Sequence, residues 1–103
     1  PNISIMKENI WRLGMKYKIT EKVDVLEVDN ENLAIYDYES GDVHYISGTG
    51  KMIFSLLECK TNIPQIIDKL CEIYSANRNE LENDVTEFIK ELELKKVVIA
   101  YED

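Results

Sequence analysis

His44 is the single histidine of the chain, and Cys59 and Cys71 are its two thiols. A histidine base needs a nucleophile on one side and an orienting group on the other, and Val43-His44-Tyr45-Ile46 offers neither in sequence. The two cysteines stand twelve residues apart, without the Cys-x-x-Cys spacing of a redox pair, so both are expected to pack as small apolar side chains. Two cysteines and one histidine also fall short of a structural zinc set. Gly48-Thr49-Gly50-Lys51 has the flavour of a phosphate loop, but lacks its four-residue spacing and the Ser or Thr after the lysine. No catalytic residue, metal ligand or cofactor is therefore expected.

The remaining chemistry is charge. Twenty Asp and Glu oppose twelve Lys and Arg, giving a net charge of −8. Such a surface repels phosphate backbones, and no basic stripe offsets it, so nucleic acid is not an expected partner. No apolar run approaches the roughly 20 residues needed to span a bilayer, and Pro1 to Ile10 lacks the pattern of a secretory signal. The 103 residues suit one small intracellular domain with no membrane partner.

Acids concentrate near the C-terminus, where Glu80, Glu82, Asp84, Glu87, Glu91 and Glu93 are accompanied by Lys90 alone. In a helix there, Glu80 and Glu82 suit the positive end of the dipole. Glu87 and Glu91 lie beyond mid-helix, have no such reason, and are better candidates for contacting a basic or polar peptide.

Periodicity predicts the elements that position these groups. Val23–Val28, Leu33–Tyr38 and Val43–Ile46 read as strands, separated by the turn formers Asp29-Asn30-Glu31-Asn32 and Glu39-Ser40-Gly41-Asp42. Leu33 and Ile35 fall on one face of the second strand, and Ala34, Tyr36 and Tyr38 on the other. A helix from Thr49 to Glu58, capped by Ser47, carries Ile53, Leu56 and Leu57 as its apolar stripe. A second, capped by Thr61 with Pro64 in its first turn, repeats Ile63, Ile66, Ile67, Leu70 and Tyr74. A third begins at Asn77, with Glu80 completing a capping box, and buries Leu81, Val85, Phe88 and Leu92. Val97–Tyr101 is a short strand or an extended tail. Residues 1–20 are read as an extended arm with a candidate strand at Met15–Ile19, and residues 21–103 as the domain proper. Strands followed by helices give an α+β class with winged-helix-like architecture, a three-stranded antiparallel sheet and then three helices. The strand Val43–Ile46 ends the meander, and carries neither the Pro nor the Lys that usually blunts a sheet edge. Such an edge can accept an extended peptide as an added strand.

From Glu31 to Val98, roughly two thirds of the chain, the order of elements resembles the PqqD-like family. These are the recognition elements that bind leader peptides of ribosomally synthesised, post-translationally modified peptides. Leu33-Ala34-Ile35-Tyr36-Asp37 with Gly41, and His44-Tyr45-Ile46-Ser47, are similar to the family's second and third strands. Thr49-Gly50 with Ile53-Phe54-Ser55-Leu56-Leu57 is similar to its first helix. Thr61 with Ile66 and Leu70 resembles the second, and Asp84-Val85 with Phe88-Ile89 and Leu92 the third. The start of the third helix, Asn77-Arg78-Asn79, departs from the more polar or Pro-marked start usual in the family.

The resemblance implies a non-catalytic module in which a precursor leader peptide pairs with the third strand and lies in a groove against the third helix. By position, the groove would take Val43, His44, Tyr45 and Ile46 from the strand, and Asp84, Glu87, Phe88 and Glu91 from the helix. It also implies a cytoplasmic setting and a peptide-modifying enzyme or leader peptidase acting in trans, in lasso, quinone-cofactor, thioether-crosslinked or other pathways. A winged-helix DNA-binding regulator would need a basic recognition helix, which neither Ile63–Tyr74 nor the acidic third helix supplies. A small adaptor or oligomerisation domain using the same open edge is the other alternative, and the oligomeric state stays open.

Overall fold

The β-branched and aromatic runs of the first half each find a neighbour across a short polar turn. In the computed structural model, which describes residues 14–102, the order is β1 (Lys16–Ile19), β2 (Val23–Glu27), β3 (Asn32–Asp37), β4 (Val43–Ser47), α1 (Thr49–Glu58), α2 (Ile63–Ile73), α3 (Arg78–Leu94) and β5 (Val98–Tyr101). The antiparallel sheet has the order β2-β3-β4, and the three helices follow it, so the α+β class and the meander stand as expected. A separate two-stranded sheet pairs β1 with β5, Lys16 opposite Tyr101 and Ile19 opposite Val98. The C-terminal segment is therefore a strand rather than a tail, and residues 16–19 are its partner. The earlier part of the expected arm, through Leu13, lies outside the described residues.

Both turns of the meander are held by an aspartate. Asp29 Oδ1 accepts from the Glu31 N–H at 2.8 Å and from Asn32 Nδ2 at 2.9 Å. Asp37, the one buried charged side chain among the described residues, accepts from Lys22 Nζ at 2.8 Å and from the Glu39 N–H at 2.9 Å. The chain reverses through Gly41 at φ 77°, a conformation glycine adopts without the Cβ penalty, and its N–H returns to the Asp37 carbonyl at 2.8 Å.

Strand alternation gives the sheet two faces. Val23, Leu33, Ile35 and Ile46 turn inward, onto Ile53, Phe54 and Leu57 of α1, Ile66 and Leu70 of α2, and Val85 and Ile89 of α3. Asp24, Leu26, Ala34, Tyr36, Val43 and Tyr45 turn outward.

The helix caps correct the sequence reading. Ser47 is the last residue of β4, opposite Asn32, because the ladder runs on to a bond from the Gly48 N–H to the Glu31 carbonyl. Gly48, at φ 60°, is the N-cap of α1 and makes the sharp exit from the sheet. Thr61 does not cap α2, since its hydroxyl donates to the Leu56 carbonyl at 2.6 Å. Asn62 is the cap, in a reciprocal pair with Gln65: Oδ1 accepts from the Gln65 N–H, and Gln65 Oε1 accepts from the Asn62 N–H. Asn77 caps α3 as expected, but its side chain takes the Asn79 N–H rather than closing a box with Glu80. Lys96 ends α3 at φ 58°, with its N–H on the Glu93 carbonyl and the Val97 N–H on that of Leu92. This pair of bonds is a Schellman close, and it turns Val97 into the core to start β5.

One member of the expected core stripe is exchanged in each of two helices. Phe54 is buried in α1, where Leu56 is half-buried, and Ile89 takes the core position in α3 that spacing assigned to Phe88. Cys71 packs half-buried beside the core, whereas Cys59 caps the C-terminal end of α1 and is exposed, contrary to the packing expected for it. Among the described residues, no helix is long and apolar enough to cross a membrane.

Candidate peptide-binding groove

Among the described residues, β4 pairs on one side only, with β3. The bonds flanking that ladder fix which backbone groups it consumes. The Gly48 N–H reaches the Glu31 carbonyl, and the Asp37 N–H the Asp42 carbonyl. In an antiparallel pair such doubly bonded partners alternate with non-bonded ones, so His44 and Ile46 also direct their N–H and C=O groups toward β3. Val43, Tyr45 and Ser47 direct theirs to the open edge. Their side chains alternate in the other sense: His44 and Ile46 point inward beside α3, and Val43 and Tyr45 outward.

Between β4 and α3 lies a cavity of about 120 Å³, lined by Ile35, His44, Tyr45, Ile46, Phe88, Glu91, Leu92, Lys95 and Val97. It brings together five of the eight residues expected at the site: His44, Tyr45, Ile46, Phe88 and Glu91. A second cavity, of about 410 Å³, opens where the start of α1, the end of α2 and the first half of α3 meet. Asp84 and Phe88 line it with Thr49, Gly50, Ile53, Leu70, Tyr74, Ala76, Leu81 and Val85. Phe88 is thus common to both, half-buried at their junction. Val43 and Glu87 line neither cavity; Val43 lies on the outer face of the sheet, and Glu87 is exposed on α3.

The positions along α3 account for this division. Asp84, Phe88, Glu91 and Lys95 follow at steps of four, three and four, one stripe down a helix face. Glu87 stands off that stripe. The groove is apolar along its floor, with Glu91, Lys95 and His44 as its polar groups. It offers a backbone edge, an apolar seat and a few charges for orientation, the requirements of binding an extended segment. Among the described residues, no three His, Cys, Asp or Glu side chains cluster to hold a metal ion.

Sequence reasoning missed the larger cavity. Its signals were two small residues: Gly50 inside α1, where glycine is otherwise unfavourable, and Ala76 in the loop just before α3. A Cβ on Gly50 would stand 2.9 Å from Ile46 Cγ2 and 3.3 Å from Phe88 Cε1. The missing side chain lets strand, first helix and third helix converge at the junction of the two cavities.

Among curated proteins, no relative matches the chain. Two solved structures share its architecture. One is TbiB1 in complex with the TbiA(beta) leader peptide, with a TM-score of 0.75 and 27% identity over 84% of this chain and 99% of that one. The other is a lasso peptide synthetase B1 complexed with the leader peptide, with a TM-score of 0.74 and 15% identity over 82% of this chain and 98% of that one. At that lower identity the likeness is one of fold. Residues 32–98, from the start of β3 through the groove to the start of β5, match the family described as coenzyme PQQ synthesis protein D, and the chain belongs to this PqqD family.

Proposed function

We propose that the protein is a leader-peptide recognition element. It binds the leader of a ribosomally synthesised peptide precursor as an added strand on β4 and presents the precursor to a modifying enzyme or leader peptidase acting in trans. The observation that carries this reading is the open edge at Val43, Tyr45 and Ser47, set beside an apolar groove whose far wall is α3. Family membership and the likeness to TbiB1, whose structure holds a leader peptide, support it. In this reading the module performs no chemistry of its own, works in the cytoplasm, and needs no cofactor. Affinity comes from main-chain bonds to the edge and apolar side chains seated at Phe88. The ordering entropy of the peptide sets the expected dissociation constant at about nanomolar to micromolar.

Calorimetric titration with the leader half of the precursor encoded beside this protein tests the reading. Saturable one-to-one binding, lost when the leader is replaced by the core half, is the expected result. A folded protein that binds no leader segment would overturn it.

A further inference from the structure

The outer face of the three-stranded sheet turns away from α1, α2 and α3 and is not polar. Cross-strand rows set Leu26 beside Ala34 and Tyr45, and Asp24 beside Tyr36 and Val43. Leu26 is 62% exposed, Tyr38 56% and Tyr45 74%. Tyr36 and Tyr38 meet edge to face at 5.2 Å, and the Tyr38 hydroxyl donates to Asp24, so the aromatic part of the patch is ordered. Ala34 is nearly buried between Leu26 and Tyr45, a low floor between taller side chains. Single exposed apolar residues need no explanation, but a contiguous patch that includes three tyrosines has the make-up of a protein contact.

Two observations define what sits there. The first is charge. Asp24 lies within the patch, and Glu31, Glu39 and Asp42 lie at the strand ends. Lys22 and Lys51, the lysines bonded to this sheet and its turns, are already engaged by Asp37 and Glu27. A second copy would set these carboxylates against each other on chains of net charge −8, so the charge favours a partner with Lys and Arg around an apolar centre. The second is continuity with the groove. Val43 and Tyr45 belong both to the open edge and to this face, so a strand added to β4 would extend the face with its own alternate side chains. A protein seated here would touch the module and its bound peptide together.

We propose that the outer face of the sheet is the docking surface for the enzyme that acts on the bound precursor, through a basic-rimmed apolar patch on that enzyme. This rests on the leader-binding reading. The test uses the full chain, a fluorescein-labelled leader, and the purified enzyme encoded with the precursor as probe. Leu26→Thr with Tyr36→Thr spares the edge and the groove, and should leave leader affinity within about twofold. Titrating the enzyme onto the labelled complex should show its affinity lowered about tenfold or more in this variant, and weakened for the wild type by added salt. Leu26→Glu is the second variant should the double one fail to fold. Unchanged enzyme affinity in a folded, leader-binding variant would overturn the proposal. So would self-association of the wild type, seen by sedimentation and lost in the variant, which would assign the face to a second copy. Failure of the wild type to bind the leader at all would instead bring down the leader-binding reading, and this proposal with it.

Discussion

Phe88 sits over Gly50 so closely that a Cβ on Gly50 would come within 3.3 Å of its ring. The same Cβ would stand 2.9 Å from Ile46, the buried residue of the open-edged strand. Gly50→Ala therefore forces Ile46 and Phe88 apart at the junction of the two cavities. Such overpacking costs about 1–3 kcal/mol, while alanine recovers about 1 kcal/mol of helix propensity. The expected result is a net loss of about 0–2 kcal/mol in chemical denaturation, with leader affinity reduced about fivefold or more because the seat at Phe88 is displaced. Unaltered leader affinity in this variant would remove Phe88 from the binding surface.

Proline separates the two sets of backbone groups on β4. The Tyr45 N–H faces the open edge, so Tyr45→Pro removes no bond to β3, and proline is tolerated on an edge strand in that sense. It should fold and lose leader binding, seen by circular dichroism and calorimetry. Ile46→Pro removes a donor to β3 and should destabilise the sheet itself. A folded Tyr45→Pro protein that binds the leader with wild-type affinity would exclude strand addition through this edge.

The contrast between these two neighbours was only half legible in the sequence. Alternation told that Leu33 and Ile35 share a face, and the turn formers bounded three strands, because both signals are local. The bonding parity of Tyr45 against Ile46 was not legible, since it depends on how β4 is registered on β3. Caps at Ser47 and Thr61 were each misplaced by one residue for a similar reason. Ser47 is held by the ladder, and the Thr61 hydroxyl by a carbonyl of the preceding helix. Phe88 and Ile89 both suit an apolar stripe by spacing, and the gap at Gly50 decides which of them meets the groove. The pairing of Lys16–Ile19 with Val98–Tyr101 joins segments near opposite ends of the sequence, which no local pattern announces.

The acids of α3 separate in the same way. Glu91 lines the cavity beside His44 and Lys95, whereas Glu87 stands outside both cavities. Glu91→Lys should weaken a basic leader severalfold, and Glu87→Lys should leave it within about twofold, each measured by fluorescence polarisation. Both residues are exposed, so stability should stay within about 0.5 kcal/mol in either variant. Equal effects of the two reversals would indicate long-range attraction to an acidic surface rather than contact in the groove, and equal slopes against salt would accompany them.

Acid stability should report on the turn behind β4. Lys22 and the N–H groups of Ser40 and Glu39 hold the Asp37 carboxyl below its ordinary 3.8, and the bond to Asp37 holds Lys22 above its ordinary 10.5. The ionised Asp37 is bonded in the folded chain and only solvated in the unfolded one. Its contribution is therefore complete above the unfolded value and is lost as pH falls through the depressed folded value. Lys22 contributes in the opposite sense, fully below 10.5 and progressively less as pH rises through its raised value. Between these limits the pair gives no pH dependence. Asp37→Asn keeps an acceptor for the Glu39 and Ser40 N–H groups but removes the charge facing Lys22. Thermal midpoints of this variant should lie below wild type from pH 5 to 9 and converge with it in the acid range. Curves that run parallel down to about pH 2 would show that ionisation of Asp37 contributes nothing to the stability of the turn, whether through Lys22 or through the two N–H groups.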